Sequence, residues 1–140
     1  LARAMLSIGS IKGFEIGDGF AVAAASGSTN NDAFTIKNGT VTKRTNHAGG
    51  TLGGLSDGSP VVFRVAVKPT PSISKPQATV DRAGNKIDVS IKGRHDPIIV
   101  PRAIVVVETM AAITVLDLLL ANMSARLDRI RAFYHRTSDI

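Results

Sequence analysis

Lys92-Gly93-Arg94-His95-Asp96-Pro97 divides the chain into two kinds of pattern. Upstream, apolar residues alternate with polar ones in short runs broken by Gly, Asn and Pro. Downstream, an apolar run starts near Pro101 and continues to about Ala121. Strands before the junction and helices after it predict an α+β fold: an antiparallel sheet built from hairpins, with a long buried helix and a C-terminal helix. The junction also gathers a fixed cation, an imidazole and a carboxylate. Side chains at strand ends are held by a rigid element and still reach open space, so α/β architectures place chemistry there. A connecting loop with solvated charges is the plainer reading, and spacing alone favours it slightly.

Leu1 to Ile8 reads as the end of a helix already under way, with Gly9 as its C-cap. That opening in mid-pattern, on Leu rather than Met, points to a fragment of a longer protein. Phe14 and Ile16 alternate, Gly17-Asp18-Gly19 interrupts, and Phe20, Val22 and Ala24 resume, which predicts a strand with a turn or bulge at the glycines. Phe34 and Ile36 form a short strand, Asn38-Gly39 a type I′ turn, and Val41 starts the return strand. Asn46 to Ser59 is a loop with five glycines. Val61, Phe63, Val65 and Val67 predict a strand with one buried face, running into Lys68-Pro69-Thr70-Pro71-Ser72-Ile73, where two prolines exclude helix and central strand. Gln77–Arg82 and Lys86–Ile91 form a second hairpin around Gly84-Asn85, giving about six strands in all. Pro101 suits the start of the main helix, which is apolar on most faces and so predicted to be buried. Residues 124–135 form the last helix, with Leu127, Ile130 and Tyr134 on one face and Arg126, Arg129 and Arg136 outside.

The chain has 140 residues, 44% hydrophobic and 20% charged, which fits one folded domain and not disorder. Its net charge of +6 is scattered along the chain, and only 4% of residues are aromatic. Scattered charge without stacking rings speaks against nucleic acid and fits an anionic small molecule. The absence of Cys excludes a thiolate metal site and suits a reducing compartment. Ile104 to Leu120 carries Glu108 and Asp117, so a buried helix is favoured over a membrane span.

The glycine-rich loop admits a ligand close to the backbone, but it matches neither a P-loop nor a dinucleotide fingerprint. Lys68-Pro69-Thr70-Pro71-Ser72 sets an ammonium and two hydroxyls on a stiffened loop, an arrangement suited to phosphate. A rigid turn and a wide flexible turn are the plain alternatives. His47 and His95 show no metal-ligand spacing, and no metal site is expected.

Taken together, Lys12-Gly13-Phe14-Glu15-Ile16-Gly17-Asp18-Gly19-Phe20, Asn46-His47-Ala48-Gly49-Gly50 with Leu52-Gly53-Gly54, Lys68-Pro69-Thr70-Pro71-Ser72-Ile73, and Gly93-Arg94-His95-Asp96-Pro97 with Pro101-Arg102-Ala103 closely resemble the C-terminal part of the chorismate synthase family. The motifs come in the family's order and spacing. The resemblance covers residues 1 to about 120, leaving 121–140 as a C-terminal helix and tail without family signal. Departures are Ile98, often Cys in the family, and Thr51, usually aliphatic. The family's N-terminal motifs, with a catalytic histidine and an Arg-rich flavin segment, are not in this sequence.

The resemblance implies conversion of 5-enolpyruvylshikimate 3-phosphate to chorismate and phosphate, an elimination without net redox change that needs reduced FMN. It implies FMN contacts at Gly9, Ser10, Gly53, Lys68, Pro69, Thr70, Pro71, Ser72 and Arg94. Arg94 also lies near the substrate's anionic groups, and Asp96 assists proton removal. A role for His47 is left open. The implied fold is one half of a β-α-β sandwich, in a cytoplasmic homotetramer without nucleic-acid or membrane partners. The fragment alone is expected to be inactive. The rivals are a non-catalytic binding or assembly module that keeps the fold, and a basic nucleic-acid-binding domain.

Overall fold

The alternation that predicts strands is realised mainly as ribbons. In the computed structural model, which describes residues 1–135, helix α1 (Ala2–Leu6) leads into β1 (Ile11–Ile16) and a 3-10 helix (Gly19–Ala24). There follow β2 (Phe34–Lys37), β3 (Thr40–Lys43), β4 (Thr51–Leu52), β5 (Leu55–Ser56), β6 (Phe63–Val67), β7 (Gln77–Val80) and β8 (Lys86–Val89). Helices α2 (Val100–Met123) and α3 (Leu127–His135) complete the described chain. Arg136, assigned to the outer face of the last helix, lies outside the described residues.

Strands β1–β6, β2–β3, β4–β5 and β7–β8 form four separate antiparallel pairs, so the fold is α+β and hairpin-built, but the pairs do not join into one sheet. Three are local hairpins. At the β2–β3 turn Asn38 has φ 53° and Gly39 φ 75°, the two positive values that a type I′ turn requires. The fourth pair, β1–β6, spans the whole insertion between them. Phe14 lies opposite Val65 and Ile16 opposite Phe63. The Phe14 and Phe63 rings stack with centroids 5.5 Å apart.

Several expectations are corrected. Gly9 is not the cap of α1; the C-cap is Ser7, whose hydroxyl donates to the Ala4 carbonyl at 2.7 Å. Phe20 to Ala24 is a 3-10 helix and not a resumed strand. Positive φ at Gly17 and Gly19 turns the backbone, and the Phe20 N–H donates back to Glu15 Oε1 at 3.3 Å. The small residues Ala21, Ala23 and Ala24 tolerate the tight winding. Inside the glycine-rich loop, Gly53 and Gly54, both with positive φ, close the β4–β5 hairpin that was read as loop.

Helix α2 is not buried: none of its residues is. Val105 is 63% exposed and Leu118 59%. Burial needs a facing element, and among the described residues only α1 packs substantially on it. By length and composition α2 would also suffice to cross a membrane, a test that core helices of soluble proteins pass as well. Among the described residues the buried apolar side chains are Met5 of α1 and Ile11 of β1, and α1 packs on both β1 and α2. The chain exposes 11274 Å², whereas a compact chain of its mass exposes roughly 6,900 Å². Much apolar surface is thus left facing solvent.

Candidate functional site

The ladder of β1 and β6 does not stop at Val67. The Lys68 N–H donates to the Ser10 carbonyl at 2.7 Å. Ser10 holds φ 70°, a strained value for a residue with a Cβ. One backbone bond therefore joins the exit of α1 to the start of the proline-bounded loop. In that loop Pro69 and Pro71 fix the backbone. Gln77 Nε2 donates to the Pro71 carbonyl at 3.2 Å, and Ser90 Oγ to the Ser74 carbonyl at 2.5 Å. Thr70 Oγ1 is buried without a hydrogen-bond partner among the described residues. Buried hydroxyls are nearly always paired, so an unpaired one stands out.

The glycine-rich loop is held by a polar network. Lys43, with its side chain 5% exposed, forms an ion pair with Asp57 and lies 4.0 Å from Asp32. Asp32 accepts from the Thr45 hydroxyl at 2.7 Å and from the N–H groups of His47 at 2.8 Å and Ala48 at 3.0 Å. Burial pushes the Asp32 carboxyl up, but these donors and the Lys43 charge outweigh it and lower its pKa to about 2. The Lys43 ammonium and the Ser59 N–H likewise hold Asp57 below the usual carboxylate range.

The turn that follows β1 grips the same loop. The Asp18 N–H donates to the His47 carbonyl at 2.8 Å, and His47 Nδ1 lies 2.6 Å from Asp18 Oδ2. Gly17 makes this approach possible: a Cβ there would stand 2.0 Å from the His47 oxygen. Phe14, Phe20, Asn30 and His47 border an open cavity of about 400 Å³ beside the clasp.

Between β8 and α2, His95 Nε2 lies 2.8 Å from the Ile91 carbonyl. A carbonyl only accepts, so Nε2 carries the proton. Asp96 Oδ2 accepts from Arg102 Nη1 at 2.8 Å. Arg94, between these two ties, makes no hydrogen bond or ion pair among the described residues.

Of the residues singled out in the sequence, the structure brings Ser10 and Lys68 into direct contact, with Gly9 adjoining and Thr70 in the same loop. Gly53 stands at the β4–β5 turn with open space where a Cβ would be. Gly53, Arg94 and Asp96 make no hydrogen bond to the Ser10–Lys68 pair. Sequence reasoning missed the Asp32–Lys43–Asp57 network, whose partners are far apart in the chain and carry no local signature. It also missed Arg102 as the partner of Asp96, although Arg102 lay in a quoted motif.

A family model described as "Chorismate synthase" matches residues 1–120. The chorismate synthase of Agathobacter rectalis is 65% identical over 136 residues, covering 97% of this chain and 37% of that protein. That of Lachnospira eligens is 62% identical over 136 residues, again 97% and 37%. That of Methanococcus vannielii is 53% identical over 123 residues, 87% and 33%. A solved structure titled "Crystal Structure of Chorismate Synthase" aligns at 46% identity with a TM-score of 0.48, covering 51% of this chain and 21% of that one. The chain thus spans little more than a third of the length of the curated relatives it matches.

Proposed function

The chain belongs to the chorismate synthase family, and on that premise we propose that it supplies the C-terminal part of an enzyme forming chorismate from 5-enolpyruvylshikimate 3-phosphate. The observation that carries the proposal is the Lys68–Ser72 loop, docked on Ser10 and holding the buried, unpartnered Thr70 hydroxyl. A cationic, hydroxyl-bearing loop with one hydroxyl unpaired fits a phosphate-bearing ligand such as FMN.

Gly9, Ser10, Gly53, Lys68, Pro69, Thr70, Pro71, Ser72 and Arg94 would hold the cofactor. The Lys68 ammonium and the Thr70 and Ser72 hydroxyls would supply charge and hydrogen bonds to its anionic groups, the prolines restrict the loop's backbone, and Gly9 and Gly53 leave room. Reduced FMN held by these residues would supply electron density to the elimination. The guanidinium of Arg94 binds phosphate or carboxylate through its planar fork. Asp96 would assist removal of the ring proton, the C–H electrons forming the new C=C bond and phosphate departing with the electrons of the C–O bond. No net redox change results.

The assembly expected of the family is a cytoplasmic homotetramer. The bare face of α2 is suited to packing inside a larger body, and the surface excess over a compact chain supports this. Residues 1–140 placed in the Agathobacter rectalis relative, in exchange for its matching segment, give a full-length hybrid to test the proposal. Under anaerobic conditions with reduced FMN it is expected to release phosphate and form chorismate. A hybrid that folds and binds FMN yet forms none contradicts the proposal.

A further inference from the structure

We infer that Lys43 is a positioning residue for the Gly53 turn, its buried ammonium holding both ends of the β4–β5 hairpin to the β2–β3 ribbon. The inference rests on the reading of Gly53 as an FMN contact. Gly53 and Gly54 form the tip of that hairpin. Thr51 opposite Ser56 and Leu52 opposite Leu55 make up its whole ladder. A ribbon this short does not hold its own shape in water. Packing does not hold it either, since Leu52 is 57% and Leu55 74% exposed. What fixes the tip therefore acts at the base.

At the base, the Asp57 N–H donates to the Gly50 carbonyl at 3.2 Å and the Thr51 hydroxyl to the Ala48 carbonyl at 3.2 Å. Asp57, just after β5, pairs with Lys43 through Oδ2 and accepts the Ser59 N–H on Oδ1 at 2.9 Å. Before β4, Asp32 accepts the His47 N–H on Oδ1 and the Ala48 N–H on Oδ2, and Oδ2 lies 4.0 Å from Lys43 Nζ. All four carboxylate oxygens are engaged, so neither group can turn without losing a partner. The side chains of Lys43, Asp32 and Asp57 are 5%, 6% and 8% exposed, so water does not stand in for a partner that is lost. Lys43 is the group the two carboxylates share, and its backbone is fixed at the end of β3, opposite Phe34. Asn46, which accepts the Gly50 N–H and donates to the Pro60 carbonyl, closes the wider loop outside the hairpin.

The test uses the full-length hybrid and its Lys43→Met, Asp57→Asn and Lys43→Met/Asp57→Asn variants. Each is measured for melting temperature, FMN Kd, and amide exchange with and without FMN. In the parent, FMN should slow exchange at residues 51–56. Lys43→Met should raise the FMN Kd about tenfold, because a contact that must be ordered on binding costs affinity. Exchange at 51–56 should quicken in this variant without FMN, while the β1–β6 pair keeps its protection. Asp57→Asn keeps the side chain's size and an oxygen for Lys43. It should shift both readouts the same way by less, and it carries the test if Lys43→Met does not fold. Beside Lys43→Met it should cost nothing further, since both changes break one link. If the variant melts earlier yet keeps the parent's FMN Kd, Lys43 serves stability alone and the inference is overturned. Losses that multiply in the double variant overturn it as well. If FMN leaves exchange at 51–56 unchanged in the parent, the reading of Gly53 fails, and the role of Lys43 with it.

Discussion

The Lys68 N–H donates to the Ser10 carbonyl at 2.7 Å, one step past the last β1–β6 partners, Ile11 and Val67. Residues far apart in sequence thereby share one edge, with the Thr70 hydroxyl buried in the loop that leaves it. If this edge holds the phosphate-bearing cofactor, Lys68→Ala and Thr70→Val in the full-length hybrid should each weaken FMN binding about tenfold, the scale of one hydrogen bond to a charged group. Flavin fluorescence titration measures it. Unchanged affinity in both variants would place the cofactor elsewhere.

Gly17 is where β1 meets the glycine-rich loop. A Cβ would stand 2.0 Å from the His47 carbonyl oxygen, on a backbone already at φ 56°. Gly17→Ala should destabilise the hybrid by about 1 to 3 kcal/mol. Gly27→Ala, with nothing within 4 Å of its Cβ, is the control and should be neutral. Thermal melts of the two variants provide the comparison.

Asp32 titrates near pH 2 when folded, against an ordinary value of 3.8. The unfolded chain binds the proton first as pH falls, so stability rises with pH across this window. The contribution is complete above the unfolded value and is lost as pH drops through 3.8 toward 2. Amide exchange at His47 and Ala48, whose N–H groups Asp32 accepts, should accelerate, relative to its intrinsic rate, in that range. Asp32→Asn should shrink the pH dependence at these amides to what Asp57, also lowered by Lys43, contributes. Persistence of the same acid transition in Asp32→Asn would assign it to another group.

Val105 and Leu116, about three turns apart, lie on one face of α2 and are 63% and 55% exposed. The isolated chain should therefore self-associate and bind a hydrophobic dye. Val105→Lys with Leu116→Lys should reduce both in the isolated chain and abolish folding of the hybrid, where that face is covered. Light scattering and dye fluorescence read the first effect, and soluble yield the second. A soluble, active hybrid carrying both lysines would show that the face stays in water.

Local chemistry was the legible part of this fold. Asn38-Gly39 announced its hairpin because positive φ is needed at both positions, and Phe63, Val65 and Val67 are the half-buried face of β6, as their alternation required. Pro101 stands in the first turn of α2. What escaped depended on partners distant in sequence. The β1–β6 pairing, the Asp32–Lys43–Asp57 network and the Arg102–Asp96 tie involve residues whose types admit many other partners. The burial predicted for α2 failed for the same reason: an apolar helix states that it needs a neighbour without providing one. At the candidate site, motifs singled out Ser10, Lys68 and Thr70, but only coordinates put the first two in contact and left the third unpaired.

The central proposal is that this chain contributes part of a chorismate-forming catalytic site. The most direct test mixes it, anaerobically, with a separately produced N-terminal part of the Agathobacter rectalis relative, reduced FMN and 5-enolpyruvylshikimate 3-phosphate, and follows chorismate absorbance. Chorismate should form only when both polypeptides are present. Formation by this chain alone, or two parts that associate and bind FMN without turnover, would contradict the claim.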